Sequence, residues 1–130
     1  MTDRHLFVYG TLLPGEERWW VLEQFVIGSG APDAVLGLLY DTGEGYPAAA
    51  FDVDSPDGAT PVLGQVFELD ASRLQQALDV LDEVEDAVLG LYRRVRVRTV
   101  SGREVWAYQH GAGLTLTPID SGDWLSHPRS

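Results

Sequence analysis

The feature that most narrows the fold is a change of period between residues 61 and 109. Pro61 to Leu69 (PVLGQVFEL) reads as a strand. From Asp70, whose side chain suits a helix N-cap, the apolar positions Leu74, Ala77, Leu78, Leu81 and Val88 recur at threes and fours. Tyr92 to Val100 then alternates strictly, with Val95, Val97 and Thr99 on one side and Arg94, Arg96 and Arg98 on the other. Ser101-Gly102 turns the chain into Glu104 to Gln109, which completes a hairpin. Strand, one long helix and hairpin, in that order, do not make the regular alternation of a doubly wound parallel sheet.

The rest of the chain fits the same class. Leu6 to Tyr9 is a short apolar run stopped by Gly10, the pattern of a buried strand. Glu16 to Val26 (EERWWVLEQFV) carries Trp19, Trp20, Leu22 and Val26 at roughly helical spacing, with acids at its start, and predicts a helix. Ala34 to Tyr40 and Tyr46 to Phe51 predict two strands joined by a turn at Asp41 to Gly45; Asp52 to Thr60 predicts an exposed loop. The tail, Gly111 to Ser130, predicts turns and a short helix around Trp124. The expected fold is α+β. About six strands flanked by helices close into a small mixed β-barrel, which removes exposed edges. One domain over residues 1–130 is expected, long enough to bury its own core.

Composition removes several chemistries. The chain has no Cys and no Lys; all nine basic residues are Arg. Thiolate nucleophiles, Cys-rich zinc sites, Schiff-base lysines and the phosphate-loop lysine are therefore out. His5, His110 and His127 lack metal-ligand spacing, and no serine stands in a G-x-S-x-G context, so neither a histidine metal site nor a serine triad is expected. The net charge of −11 opposes nucleic acid and anionic membrane. No apolar run approaches a membrane span, and Asp3 with a very short apolar stretch argues against a signal peptide. A cytoplasmic location and a monomer are the defaults.

Three features invite a chemical reading, each with an ordinary one beside it. Stepping from Leu74 at about 100° per residue puts Leu78 near 40°, Leu81 near −20° and Glu85 near 20°, within the apolar stripe. Asp79, Glu83 and Asp86 project outward and Asp82 falls at the stripe's margin. Glu85 is then either an acid of raised pKa suited to proton transfer, or a solvated or arginine-paired group. Tyr9-Gly10-Thr11-Leu12-Leu13-Pro14-Gly15 is either an amide nest for an anion or a plain strand-to-helix turn. The row Arg94, Arg96, Arg98 is either a solvated face answering nearby acids or an anion-binding face.

Taken in order, the pieces Phe7-Val8-Tyr9-Gly10-Thr11-Leu12, Gly37-Leu38-Leu39-Tyr40 with Gly45-Tyr46-Pro47-Ala48, Val62-Leu63-Gly64-Gln65-Val66-Phe67, and Leu81-Asp82-Glu83-Val84-Glu85 followed by Tyr92-Arg93-Arg94 resemble the gamma-glutamylcyclotransferase-like (AIG2-like) family. Each piece is short; the order and spacing give the resemblance its specificity. Residues beyond about Gly111 add nothing to it.

The resemblance implies a fold built around a small barrel, with no metal or cofactor. It implies a reaction that converts a γ-glutamyl amine or peptide to 5-oxoproline and the free amine. The family's L-D-x-x-E pattern lands its catalytic acid on Glu85, and substrate contacts are implied for Tyr9, Gly10, Thr11, Leu12, Tyr46, Tyr92 and Arg94. One departure stands out: the family's usual Gly after the acid is Asp86 here. The acids from Asp82 to Asp86 would attract a cationic leaving amine. A non-catalytic module binding small carboxylates on the same scaffold is the alternative, and a two-carboxylate hydrolase using Glu85 with Asp82 is a third class.

Overall fold

The computed structural model describes residues 4–10, 13–16, 18–41, 47–51, 60–89, 92–110, 117–119 and 123–124. Its elements in chain order are β1 (His5–Val8), α1 (Trp19–Glu23), β2 (Val26–Asp41), β3 (Pro47–Ala50), β4 (Thr60–Leu69), α2 (Leu74–Leu89), β5 (Tyr92–Arg98), β6 (Glu104–His110) and β7 (Thr117–Pro118). The seven strands form one sheet in the order β3-β2-β4-β1-β6-β5, with β7 against β2. Every pairing is antiparallel except β1 with β6, where Leu6 faces Trp106. The fold is α+β with a mixed sheet, as the change of period predicts.

The sheet has two buried faces because its strands alternate. On β1, Leu6 and Val8 pack with Leu69, Leu78 and Leu81 under the two helices, while Phe7 and the following Tyr9 pack with Val62, Val66 and Val105 inside the curl of the sheet. Gly64 lets β1 and β4 approach: a Cβ there would strike the Val8 carbonyl oxygen and the Phe7 ring. The long helix follows its sequence signal. The Asp70 carboxylate accepts from the Ser72 N–H at 3.0 Å and the Ser72 hydroxyl at 2.8 Å, starting a 3-10 turn over Ala71–Arg73 that runs into α2. Ala77, Leu78 and Leu81 are buried, and Asp79 and Glu83 are exposed.

Four expectations are corrected. The barrel of about six strands is a curled sheet of seven, and among the described residues no ladder joins β5 back to β2 or β3. Among the described residues, one pin of the curl lies where the β5–β6 turn meets β2. There the Val100 N–H donates to the Ala34 carbonyl at 2.8 Å and the Ser101 hydroxyl to Asp33 Oδ2 at 2.6 Å. A cavity separates the two strands along the rest of the gap, lined by Val35, Phe51, Val95 and Val97 among others. The helix expected over Glu16–Val26 is only Trp19–Glu23, and the strand expected from Ala34 starts at Val26. Val26 and Ile27 are drawn into pairing with Leu69 and Glu68; a bulge at Gly28 (φ 73°) then shifts the register to Ala31 opposite Val66. Finally, the tail is tied into the sheet. β7 pairs with Tyr40 and Asp41, the Ile119 N–H donates to the Leu39 carbonyl at 2.8 Å, and Ile119 and Trp124 are buried inside the curl. Trp124 itself lies in a turn. The expected turn at 42–45 and loop at 52–59 lie outside the described residues.

Candidate active site

β1 delivers Tyr9 and Gly10, both buried, to one end of the sheet. The Leu13 N–H donates to the Gly10 carbonyl at 3.0 Å and closes a turn. That N–H is therefore committed to the backbone and drops out of any anion nest. The Tyr9 ring meets Phe51 edge-on at 5.8 Å, and its hydroxyl donates to the Tyr108 carbonyl at 2.6 Å.

Alternation on β6 turns Tyr108 and Trp106 toward the helical side, opposite Arg94 and Arg96 of β5. The Tyr108 hydroxyl donates to Asp82 Oδ1 at 2.6 Å. Arg94 grips the same carboxylate as a fork, Nε to Oδ1 at 2.9 Å and Nη2 to Oδ2 at 3.2 Å. The guanidinium also lies over the Trp106 ring, 4.4 Å from its centroid. A continuous path thus runs from the end of β1 through Tyr108 to Asp82 on α2, and on to Arg94 at the start of the hairpin. Charge-assisted, bidentate bonds are the strong members of such a path. With both oxygens engaged, Asp82 is poorly placed to serve as the second acid of a hydrolase pair.

The structure brings together two of the residues expected at the site, Tyr9 and Arg94, and joins them through Asp82, which the sequence offers only as a second hydrolase acid, and Tyr108, which sequence reading missed. Asp82 is at the stripe's margin by periodicity, and Tyr108 is one position of a hairpin strand; neither pattern signals a partner. Arg96 and Arg98 do face solvent and share Glu104, at 3.4 and 3.0 Å. Glu85 lies within α2, three positions after Asp82, and Tyr92 within β5 opposite His110. The side chains of Glu85, Asp86 and Tyr92 lie outside the described residues, as do Thr11, Leu12 and Tyr46.

Two carboxyls sit below their ordinary range. Burial pushes Asp33 up, but bonds from Ser101, the Ala34 N–H and Thr99 outweigh it. Ser72 lowers Asp70, through its side chain first and its N–H second. Both acids are structural, one at the pin of the curl and one at the head of α2. No helix among the described residues is long and apolar enough to cross a membrane.

Comparison with known proteins bears on the family and the fold. The family described as gamma-glutamyl cyclotransferase, AIG2-like, matches residues 6–126, so the match runs through the tail as well, beyond Gly111. A Halalkalibacterium halodurans protein, BH1612, provisionally named a gamma-glutamylcyclotransferase, is 33% identical over 93 residues, covering 70% of this chain and 80% of its own. The crystal structure of PH0828 from Pyrococcus horikoshii, a protein described as uncharacterized, superposes with a TM-score of 0.70 at 25% identity, over 94% of this chain and 90% of that one. A mouse AIG2-like protein shares the fold with a TM-score of 0.59 at 20% identity, over 100% of this chain and 87% of its own.

Proposed function

The chain belongs to the gamma-glutamyl cyclotransferase, AIG2-like family, and from that premise we propose that it converts a γ-glutamyl amine or peptide to 5-oxoproline and the free amine, with Glu85 as general acid and base. Its function is of the cyclotransferase type, on a small-molecule substrate. The observation that carries the finer reading is the path from Tyr9 through Tyr108 to Asp82. It ties the turn of α2 just before Glu85 to the strand end from which the Gly10 loop departs.

In a γ-glutamyl amide, the α-amino nitrogen attacks the γ-carbonyl carbon and closes a five-membered ring. The carboxylate of Glu85 takes the proton from that nitrogen as the C–N bond forms. It returns the proton to the departing amine as the old C–N bond breaks, so the acid ends as it began. The attack is intramolecular, and much of the gain comes from holding the folded conformer. The α-carboxylate is assigned to the amides of Gly10, Thr11 and Leu12, with an amide donor there also serving the developing oxyanion. Tyr46 and Tyr92 are assigned to the substrate's flanks. Arg94 acts at one remove, holding Asp82 and with it the turn of α2.

Incubation with a panel of γ-glutamyl amines should release 5-oxoproline, read by chromatography. Glu85→Gln should lower the rate by about 10²–10⁴-fold, the range of a lost general acid–base group, with the fold intact by circular dichroism. Equal rates in the two proteins refute the role of Glu85. Asp86, where the family usually has Gly, favours a second reading, a non-catalytic carboxylate-binding module. That reading expects γ-glutamyl compounds to raise the melting temperature without turnover, and steady 5-oxoproline release excludes it.

A further inference from the structure

The chemistry proposed above leaves unused the gap where the curl of the sheet does not close. Between β2 and β5 lies a cavity of about 610 Å³, within the range that holds small molecules. Its lining is mainly apolar, with Val35, Phe51, Val95 and Val97 among six apolar residues, beside the neutral Thr99 and Gln109. Gln109 is 2% exposed, and its Oε1 accepts from the Phe51 N–H at 3.2 Å, which fixes Phe51 as a wall. The other side of that wall is the Tyr9 ring. The cavity therefore begins one side chain away from the residue that opens the Gly10 loop.

The lining offers no counter-charge to a cation. Among the described residues no carboxylate borders the cavity, and the guanidinium groups of Arg96 and Arg98 at its edge turn out to Glu104. An ammonium group entering here would shed water against hydrocarbon with no anion to meet it. Among the described acidic side chains of α2, Asp79 and Glu83 face solvent, and Asp82 is held by Arg94 and Tyr108.

We infer that the leaving amine carries an uncharged hydrocarbon substituent and that this cavity seats it. The inference rests on the cyclotransferase reaction proposed above and names its substrate class. It replaces the cationic amine that the acid-rich sequence around residue 85 suggests.

The test compares γ-glutamyl ethyl-, butyl- and hexylamides with γ-glutamyl-4-aminobutylamide, reading 5-oxoproline release and, separately, binding by calorimetry. Affinity and kcat/KM should rise about threefold to fourfold per added methylene until the cavity fills. The aminobutyl compound should be at least about tenfold poorer than the butyl one. Val97→Phe should flatten the alkyl series with the fold intact by circular dichroism; Val97→Leu provides the smaller step if the Phe variant does not fold. Release of 5-oxoproline with a flat series, or with the aminobutyl compound preferred, overturns the inference and leaves the reaction standing. No release, but binding that strengthens with chain length and is blunted in the Val97 variant, overturns the reaction and supports the cavity's role. Neither release nor binding overturns both.

Discussion

The bond between α2 and the hairpin should respond unequally to loss of its two halves. The side chain of Arg94 is 22% exposed and that of Asp82 is 41% exposed. Asp82→Asn keeps the size and an oxygen for the Tyr108 hydroxyl, but leaves a mostly covered guanidinium without its counter-charge. Stranding one member of a fully buried pair costs about 3–5 kcal/mol, and an exposed pair contributes about 0–1. At this exposure the loss should be about 2 kcal/mol. Arg94→Met instead leaves a carboxylate that water already reaches and that Tyr108 still serves. It forfeits the fork and the stacking on Trp106, and should cost about 1 kcal/mol.

The double variant has no stranded cation, so it should be no worse than Asp82→Asn alone. That implies a coupling of about 1–1.5 kcal/mol. Urea unfolding at pH 7, followed by tryptophan fluorescence, reads all four proteins. Each kcal/mol corresponds to roughly 3–5 °C in melting temperature for a chain of this size. Equal costs for the two single variants, or additive costs in the double variant, would refute the picture of an ion pair whose buried half is the arginine.

Other outcomes follow from individual sites. Leu81 has no exposed surface, and Leu81→Ala should destabilise by about 2–5 kcal/mol in the same assay. Gly64→Ala should cost at least as much as Leu81→Ala, because the added Cβ meets backbone at Val8 rather than a movable side chain; amide exchange should report β1 and β4 opening together. Asp33 titrates below its ordinary value in the folded chain, so its contribution is complete above about pH 4 and is lost as pH falls through the folded pKa. Urea midpoints of the wild type and Asp33→Asn should accordingly converge as the pH falls below about 4, and a constant gap would refute the pin at Ser101.

How far the sequence discloses this molecule depends on whether a signal is local. Asp70, the stripe of Ala77, Leu78 and Leu81, and the outward Asp79 and Glu83 are local, and α2 matches its expected pattern through residue 83. Val26 to Asp33 is the opposite case. Gly28, Gly30 and Pro32 have the composition of a breaker, yet the chain there is strand. Gly28 supplies the positive φ of a bulge, and Gly30 lies so close to the Phe67 ring and Gln65 that no Cβ fits; both reasons belong to β4, more than thirty residues away. The tail is similar, since β7 gains its meaning only from Tyr40 and Asp41.

The candidate site divides along the same line. Periodicity on β5 turns Arg94, Arg96 and Arg98 to one side, and it treats them alike. Arg96 and Arg98 are exposed and meet Glu104 from the neighbouring strand, as a solvated row would, with Arg96 also lying over the Trp106 ring, 5.2 Å from its centroid. Arg94 differs only because α2 crosses its end of the hairpin and lowers Asp82 onto it, beside Tyr108. A helix wheel places Asp82 at a margin, and the strand pattern places Arg94 in a row of like residues. The crossing of one element over the other makes a path of the three, and no period within either element contains it.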